Sequence, residues 1–220
     1  MTGGFERSSR SGIPCHPPGA RSILSPITKI YLCRHGQTAW SLAGKHTGRT
    51  DISLTAEGEE EARRLGTRLR DASFAAVLAS PLRRAQQTCD LAGFGGAAET
   101  VADLAEWDYG DYNGLTSAEI RSRRPDWQLF RDGCPGGERL EDVAQRVDRV
   151  LPRLRASTGN VLIFSHGHLL RVLALRWAGI PPEVGARFSL APGSLSILGH
   201  DSASRDPVLD RWNDVCHQGA

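Results

Sequence analysis

Lysine is almost missing from this sequence. Lys29 and Lys45 are the only two, and arginine supplies the rest of the basic charge. Arginine is the better planar clamp for anions, but a GC-rich coding bias accounts for an excess spread along a whole chain. Net charge is only +2, so the electrostatic footprint of a nucleic-acid binder is missing and no nucleic-acid partner is expected. No apolar run approaches the ~20 residues that cross a bilayer, so no membrane partner is expected either. The N-terminus lacks the apolar segment of a secretory signal. The five cysteines (Cys15, Cys33, Cys89, Cys134 and Cys216) are odd in number and never spaced CxxC. That excludes a disulfide framework and a structural zinc site, and makes a reducing cytoplasm the expected compartment. No metal and no cofactor are expected.

What is present is a core of adequate size and an alternation of strands and helices. The chain has 220 residues, 40% of them apolar, which suits a single domain. Residues 1–27 are rich in Gly, Ser, Pro and Arg without apolar periodicity, and read as a tail. Residues 28–213 read as one catalytic domain and 214–220 as a C-terminal tail. Ile30 to Cys33, Phe74 to Ala79, Glu99 to Val101, Val161 to Phe164, Leu195 to Leu198 and Val208 to Trp212 are strand-length apolar runs. Between them lie helix signals. Thr55 is an N-cap followed by glutamates, with Ala62, Leu65 and Leu69 on one stripe. Ser80-Pro81 reads as an N-cap and first-turn proline opening a helix to Leu91. Thr116 or Ser117 opens a short helix. A long helix carries Leu140, Val143, Val147, Val150 and Leu154, with Pro152 inside it, and another runs from about His168 to Ala178. The expected fold is a mainly parallel, doubly wound α/β sheet.

Two of the strands end in histidine: Arg34-His35-Gly36 after the first, and Ser165-His166-Gly167-His168 after the fourth. In open α/β sheets the carboxyl ends of strands are where ligands bind. Phosphoryl transfer to imidazole needs a neutral histidine, cationic donors for the phosphate oxygens and an acid for the leaving group. His35 suits the nucleophile. Arg34 and either Arg83 or Arg84, at a helix start that favours anions, suit the clamp. His166 can donate to phosphate as a cation. Glu106 suits the acid, because the apolar Leu104 to Tyr109 run around it would supply the dry setting that keeps a carboxylic acid protonated. Asp108 competes with it.

These motifs, together with His46-Thr47-Gly48-Arg49-Thr50-Asp51-Ile52-Ser53-Leu54-Thr55, Arg83-Arg84-Ala85 and Thr88, resemble the histidine phosphatase superfamily, in its phosphoglycerate mutase-like branch. The resemblance implies a three-layer α/β/α sandwich. It implies a phosphohistidine on His35, a phosphate pocket of Arg34, Arg84 and His166, and Glu106 as proton donor. It places Gln37, Thr38, Ser41, Thr47, Gly48, Trp107, Tyr109 and Gly167 along the substrate cleft. Mutases of this family usually carry Asn where this chain has Ser41, Arg where it has Trp107, and a longer segment than the one between Tyr112 and Gly137. Those departures imply hydrolysis of a small phosphorylated metabolite, similar to that of actinobacterial acid phosphatases and fungal sugar-bisphosphatases. The alternatives are a phosphoglycerate mutase, a protein phosphohistidine or phosphotyrosine phosphatase, and a non-catalytic phosphate-binding module. A homodimer is common in this fold, although no apolar stripe demands one.

Overall fold

The computed structural model describes residues 28–219, so the N-terminal tail expected over 1–27 lies outside the described residues. Six strands form one sheet: β1 (Ile30–Arg34), β2 (Ala76–Ala79), β3 (Ala98–Thr100), β4 (Val161–Ser165), β5 (Leu195–His200) and β6 (Pro207–Asp214). Their order is β3-β2-β4-β1-β5-β6. The first four are mutually parallel, and β5 and β6 add on antiparallel. All five residues of β4 are buried, as a central strand covered on both faces requires.

Side chains alternate across the sheet into two cores. Ile30, Leu32, Leu78, Val161 and Ile163 face α6 (Leu140–Arg155) and α7 (Gly167–Trp177). Cys33, Val77, Ala79, Leu162 and Phe164 face α2 (Ala56–Leu69) and α3 (Arg83–Leu91). Helices on both faces of one sheet make a three-layer α/β/α sandwich. The α2 cap is as expected: the Thr55 hydroxyl accepts from the Gly58 N–H, and Glu57 and Glu59 lie in the first turn. Thr116 and Glu119 form a capping box at the start of α4 (Ser117–Arg123). Pro152 lies within α6, in its last turn.

Several local expectations differ from the structure. Leu82, not Ser80, is the N-cap of α3, without a side-chain bond, because the buried Ser80 hydroxyl is engaged elsewhere. The short helices α1 (Ala39–Leu42) and α5 (Leu129–Asp132) had no sequence signal. The expected C-terminal tail over 214–220 begins inside β6, and residues 216–218 form a 3-10 turn docked on the body. There Arg64 Nη1 donates to the Gln218 carbonyl at 2.9 Å, and Gln218 Nε2 donates to the Pro192 carbonyl at 2.8 Å.

The first turn of α2 presses on the loop after β1. A Cβ on Gly58 would lie 2.1 Å from the Gln37 carbonyl oxygen, and one on Gly36 would lie 2.3 Å from the Gly58 oxygen. Alanine at Gly58 gains about 1 kcal/mol of helix propensity. Overpacking against backbone costs about 1–3 kcal/mol or more, and wins. Gly58→Ala is therefore expected to lower the urea midpoint at constant slope; an unchanged or higher midpoint would mean that helix and loop are not in contact.

Candidate active site

Three neighbouring strands deliver the site. In register, Arg34 of β1 opposes Ser165 of β4, and Ala79 of β2 opposes Phe164. The next residues are His35, His166 and Ser80, which therefore emerge side by side. The rings of His35 and His166 lie 5.1 Å apart, centroid to centroid.

The backbone of His35 is bolted on both sides. Its N–H donates to the Ser165 carbonyl at 2.9 Å, and its carbonyl accepts from the Gly193 N–H at 3.0 Å. His35 Nδ1 lies 2.8 Å from the Gly36 carbonyl oxygen. A carbonyl only accepts, so Nδ1 carries the proton and Nε2 keeps its lone pair. Burial, and then the nearby Arg34 and Arg84 charges, hold this imidazole well below the ordinary histidine range, against the smaller opposing effect of the Gly36 bond. The ring is neutral at physiological pH.

Arg34, Arg84 and His166 surround it, and each keeps one buried nitrogen without a partner among the described residues: Arg34 Nε, Arg84 Nε and His166 Nδ1. Arg84 is fully buried, and its other nitrogens donate to the Thr50, Thr47 and Gly48 carbonyls at 3.2, 2.9 and 3.1 Å. Arg83 is exposed, and its backbone N–H donates to Asp51 at 2.7 Å. Arg34 Nη1 donates to the Leu190 carbonyl, and burial brings the guanidinium down to about 10, still a cation at neutral pH. Gly167 leaves room for it, because a Cβ there would meet Arg34 Cζ at 3.3 Å. His166 is held neutral by burial first, then by Arg84, rather than being the expected cation. Its Nε2 lies 2.7 Å from the Ser80 hydroxyl, which also accepts from the Leu82 N–H at 3.2 Å.

Glu106 sits opposite, at the start of α7. Oε1 accepts from the Trp107 and Leu169 N–H groups at 2.9 and 3.0 Å, and Oε2 from the His168 N–H at 3.1 Å. The carboxyl group thus caps the positive end of a helix. Its surroundings are a ring of donors, not the dry apolar wall that its neighbours in sequence suggested. Arg146 of α6 holds this loop from behind, donating to the Asp103 and Ala105 carbonyls at 2.8 and 3.0 Å while paired with Glu138 at 2.7 Å. Asp108, the competing acid, is turned toward Arg49, 2.8 Å away.

The cleft over these groups has a volume of about 160 Å³, and Arg34, His35, Ser41, Thr47, Glu106, Tyr109 and Gly167 line it. Arg84 and His166 of the expected phosphate pocket are fully buried and do not line it, and four expected cleft residues are likewise absent from its lining. The Gln37 backbone N–H donates to Glu61, and its side chain takes the Thr55 hydroxyl. Thr38 is buried as the N-cap of α1. Gly48 contributes its carbonyl to Arg84. Trp107 is core, its Nε1 donating to the Glu138 carbonyl at 2.9 Å. The cleft also draws on His46 and His168, which the motifs contain without an assigned role, and on Lys45 and Arg171, which they do not contain. The Tyr109 hydroxyl lies 2.6 Å from His168 Nδ1. Burial raises the phenol and lowers the imidazole, so Tyr109 donates to a neutral His168.

The cleft thus brings a neutral ring nitrogen, the Arg34 guanidinium and a carboxyl group together, with unpartnered nitrogens of Arg84 and His166 fully buried beside His35. The model of the histidine phosphatase superfamily, branch 1, matches residues 30–215. The chain is 40% identical over 181 residues to an acid phosphatase of Mycobacterium tuberculosis, covering 80% of this chain and 89% of that protein. It is 38% identical over 183 residues to a 2,3-bisphosphoglycerate-dependent phosphoglycerate mutase of Methylorubrum extorquens, covering 74% and 85%. Among solved structures, the product of a Mycobacterium tuberculosis open reading frame superposes with a TM-score of 0.78 at 38% identity, over 85% of this chain and 99% of that one.

His35, His166 and His168 are all held below the ordinary value by burial. The unfolded chain takes up protons near pH 6.5 that the folded one refuses, so stability falls as pH drops below about 6.5. Proton NMR of the ring resonances should show no inflection for these three near pH 6.5, and the urea midpoint should fall between pH 7 and 5.5. An ordinary titration of His35 would contradict the buried neutral ring.

Proposed function

The chain belongs to branch 1 of the histidine phosphatase superfamily and is a phosphatase, and from its site we propose that it hydrolyses monoesters of small phosphorylated metabolites through a phosphohistidine on His35. The observation that carries this reading is a neutral imidazole whose neighbours Arg34, Arg84 and His166 each keep one buried nitrogen without a partner among the described residues. Leaving a buried polar group unpaired costs about 1–3 kcal/mol, and more when it is charged. A phosphate dianion satisfies all three at once.

His35 Nε2 attacks phosphorus in line, and the bond to the leaving oxygen breaks. Glu106, entering the cycle as the protonated acid, delivers its proton to that oxygen; as the carboxylate it then takes a proton from the water whose oxygen attacks phosphorus, the His35 Nε2–P bond breaks, and inorganic phosphate leaves. Arg34, Arg84 and His166 hold the equatorial oxygens throughout. Because burial and the two arginines keep His35 unprotonated, the nucleophile stays available well into mildly acidic solution. Ser80 positions His166. Its hydroxyl oxygen accepts from Leu82, and His166 Nε2 is the one acceptor in reach of its proton among the described residues, so the hydroxyl donates to Nε2 and His166 presents Nδ1–H to the phosphate. Trp107, buried in the core, leaves no cation at the position where mutases of the family carry arginine, and this favours water as the acceptor.

His35→Ala is expected to abolish turnover, together with the acid-labile label formed from radiolabelled phosphoester. Glu106→Gln should slow an alkyl phosphate about a hundredfold more than p-nitrophenyl phosphate, whose leaving group needs little protonation. Equal losses would deny Glu106 the acid role, and a labelled His35→Ala enzyme would move the nucleophile elsewhere. Ser80→Ala should lower kcat about tenfold with little change in KM, and Ser80→Thr should restore it; a loss confined to KM would contradict the positioning role.

A further inference from the structure

Beside the cleft lies a second cavity of about 960 Å³. His168 and Arg171 line both, so the two spaces adjoin at this pair. The larger cavity is too big for phosphate alone and falls within the range of small-molecule pockets, about 300–1,000 Å³. Its walls are basic. Arg121 of α4, Arg131 of α5, Arg171 of α7 and Arg187 of the 182–187 turn line it, against one acid, Asp126.

These four arginines differ in how much of their charge is already spent. Arg131 is paired with Asp132 at 2.8 Å. Arg121 Nε donates to the Trp127 carbonyl at 3.2 Å, which satisfies a hydrogen bond but leaves the charge uncompensated. Arg171 and Arg187 have no acid within ion-pair distance among the described residues. Arg171 Nε is moreover buried and unbonded. With Arg34, Arg84 and His166 assigned to the reacting phosphate, this further positive charge lies beside the cleft and is free for another part of the substrate.

We propose that the larger cavity receives the leaving group and that Arg171, supported by Arg187 and Arg121, binds a second anionic group on it, a phosphate or a carboxylate several bonds from the ester. The inference rests on the phosphatase reading above and adds its substrate class. Arg171 contributes most because it is partly buried, whereas exposed charges such as Arg187 are screened and contribute modestly.

The test compares butyl phosphate, 5-phosphooxypentanoate and pentane-1,5-diol bisphosphate, with p-nitrophenyl phosphate as reference. The wild type should favour one or both of the doubly anionic esters over butyl phosphate by at least about tenfold in kcat/KM, and which one identifies the second group. Arg171→Met should cut that preference about tenfold and the exposed Arg187→Ser about threefold. Arg153→Ser, on a surface pair with Glu99 away from both cavities, should leave it unchanged. Equal kcat/KM for the three esters, with p-nitrophenyl phosphate turned over, overturns the second subsite alone. A preference that survives Arg171→Met combined with Arg187→Ser also overturns it. No turnover of any of the four overturns the phosphatase reading as well.

Discussion

Everything at this site follows from burying positive charge without an equal amount of negative charge. Arg34 and Arg84 lie beside two histidines that burial keeps neutral, and a single carboxylate, Glu106, faces them. Each arginine spends part of its fork on backbone carbonyls and keeps Nε unpaired. Such an arrangement is costly while empty. It persists because surrounding bonds hold every member: His35 by Ser165 and Gly193, Arg84 by the 47–50 loop, and Glu106 by the start of α7 with Arg146 behind its loop. On the proposed reading, an anion that enters meets donors already held in place, so little of its binding energy is lost to ordering the protein.

The sheet makes this possible. Two parallel strands in register place the residues that follow them within about 5 Å of each other, and β1 and β4 do this for His35 and His166. β2, on the other side of β4, brings Ser80 to the same edge. The docked C-terminal turn completes the support, because His217 Nε2 and Gln218 Nε2 contact the Pro192–Gly193 segment whose N–H holds the His35 carbonyl.

Much of this was legible in the sequence. The apolar runs, the Thr55 and Thr116 caps and the two histidine-bearing strand ends carry strong local signals, and the structure has each where periodicity and capping rules place it. What was not legible depends on contacts between segments distant in the chain. Ser80-Pro81 has the local form of a helix start, yet Ser80 turns inward because β2 lies next to β4. Gln37 and Thr38 follow the nucleophile directly, but Glu61, Thr55 and Ser41 take up their polar groups. Glu106 has apolar neighbours in sequence and N–H donors in space. Arg171, one arginine among many, acquires its place only through the fold.

Apart from His168 and Arg171, which line both, the two cavities are built from different material. The cleft rests on strand ends and the helices that begin there, where a shift in one member disturbs all the others. Beyond those two residues of α7, the basic chamber is walled by α4, α5, the segment between them and the 182–187 turn, short elements whose side chains take no part in holding His35 or Glu106. Mutations in those walls can accumulate without endangering the reaction chemistry, so a lineage carrying this scaffold is free to exchange one leaving group for another. On the proposed reading, remodelling the antechamber changes which metabolite is accepted and leaves the reactive core untouched.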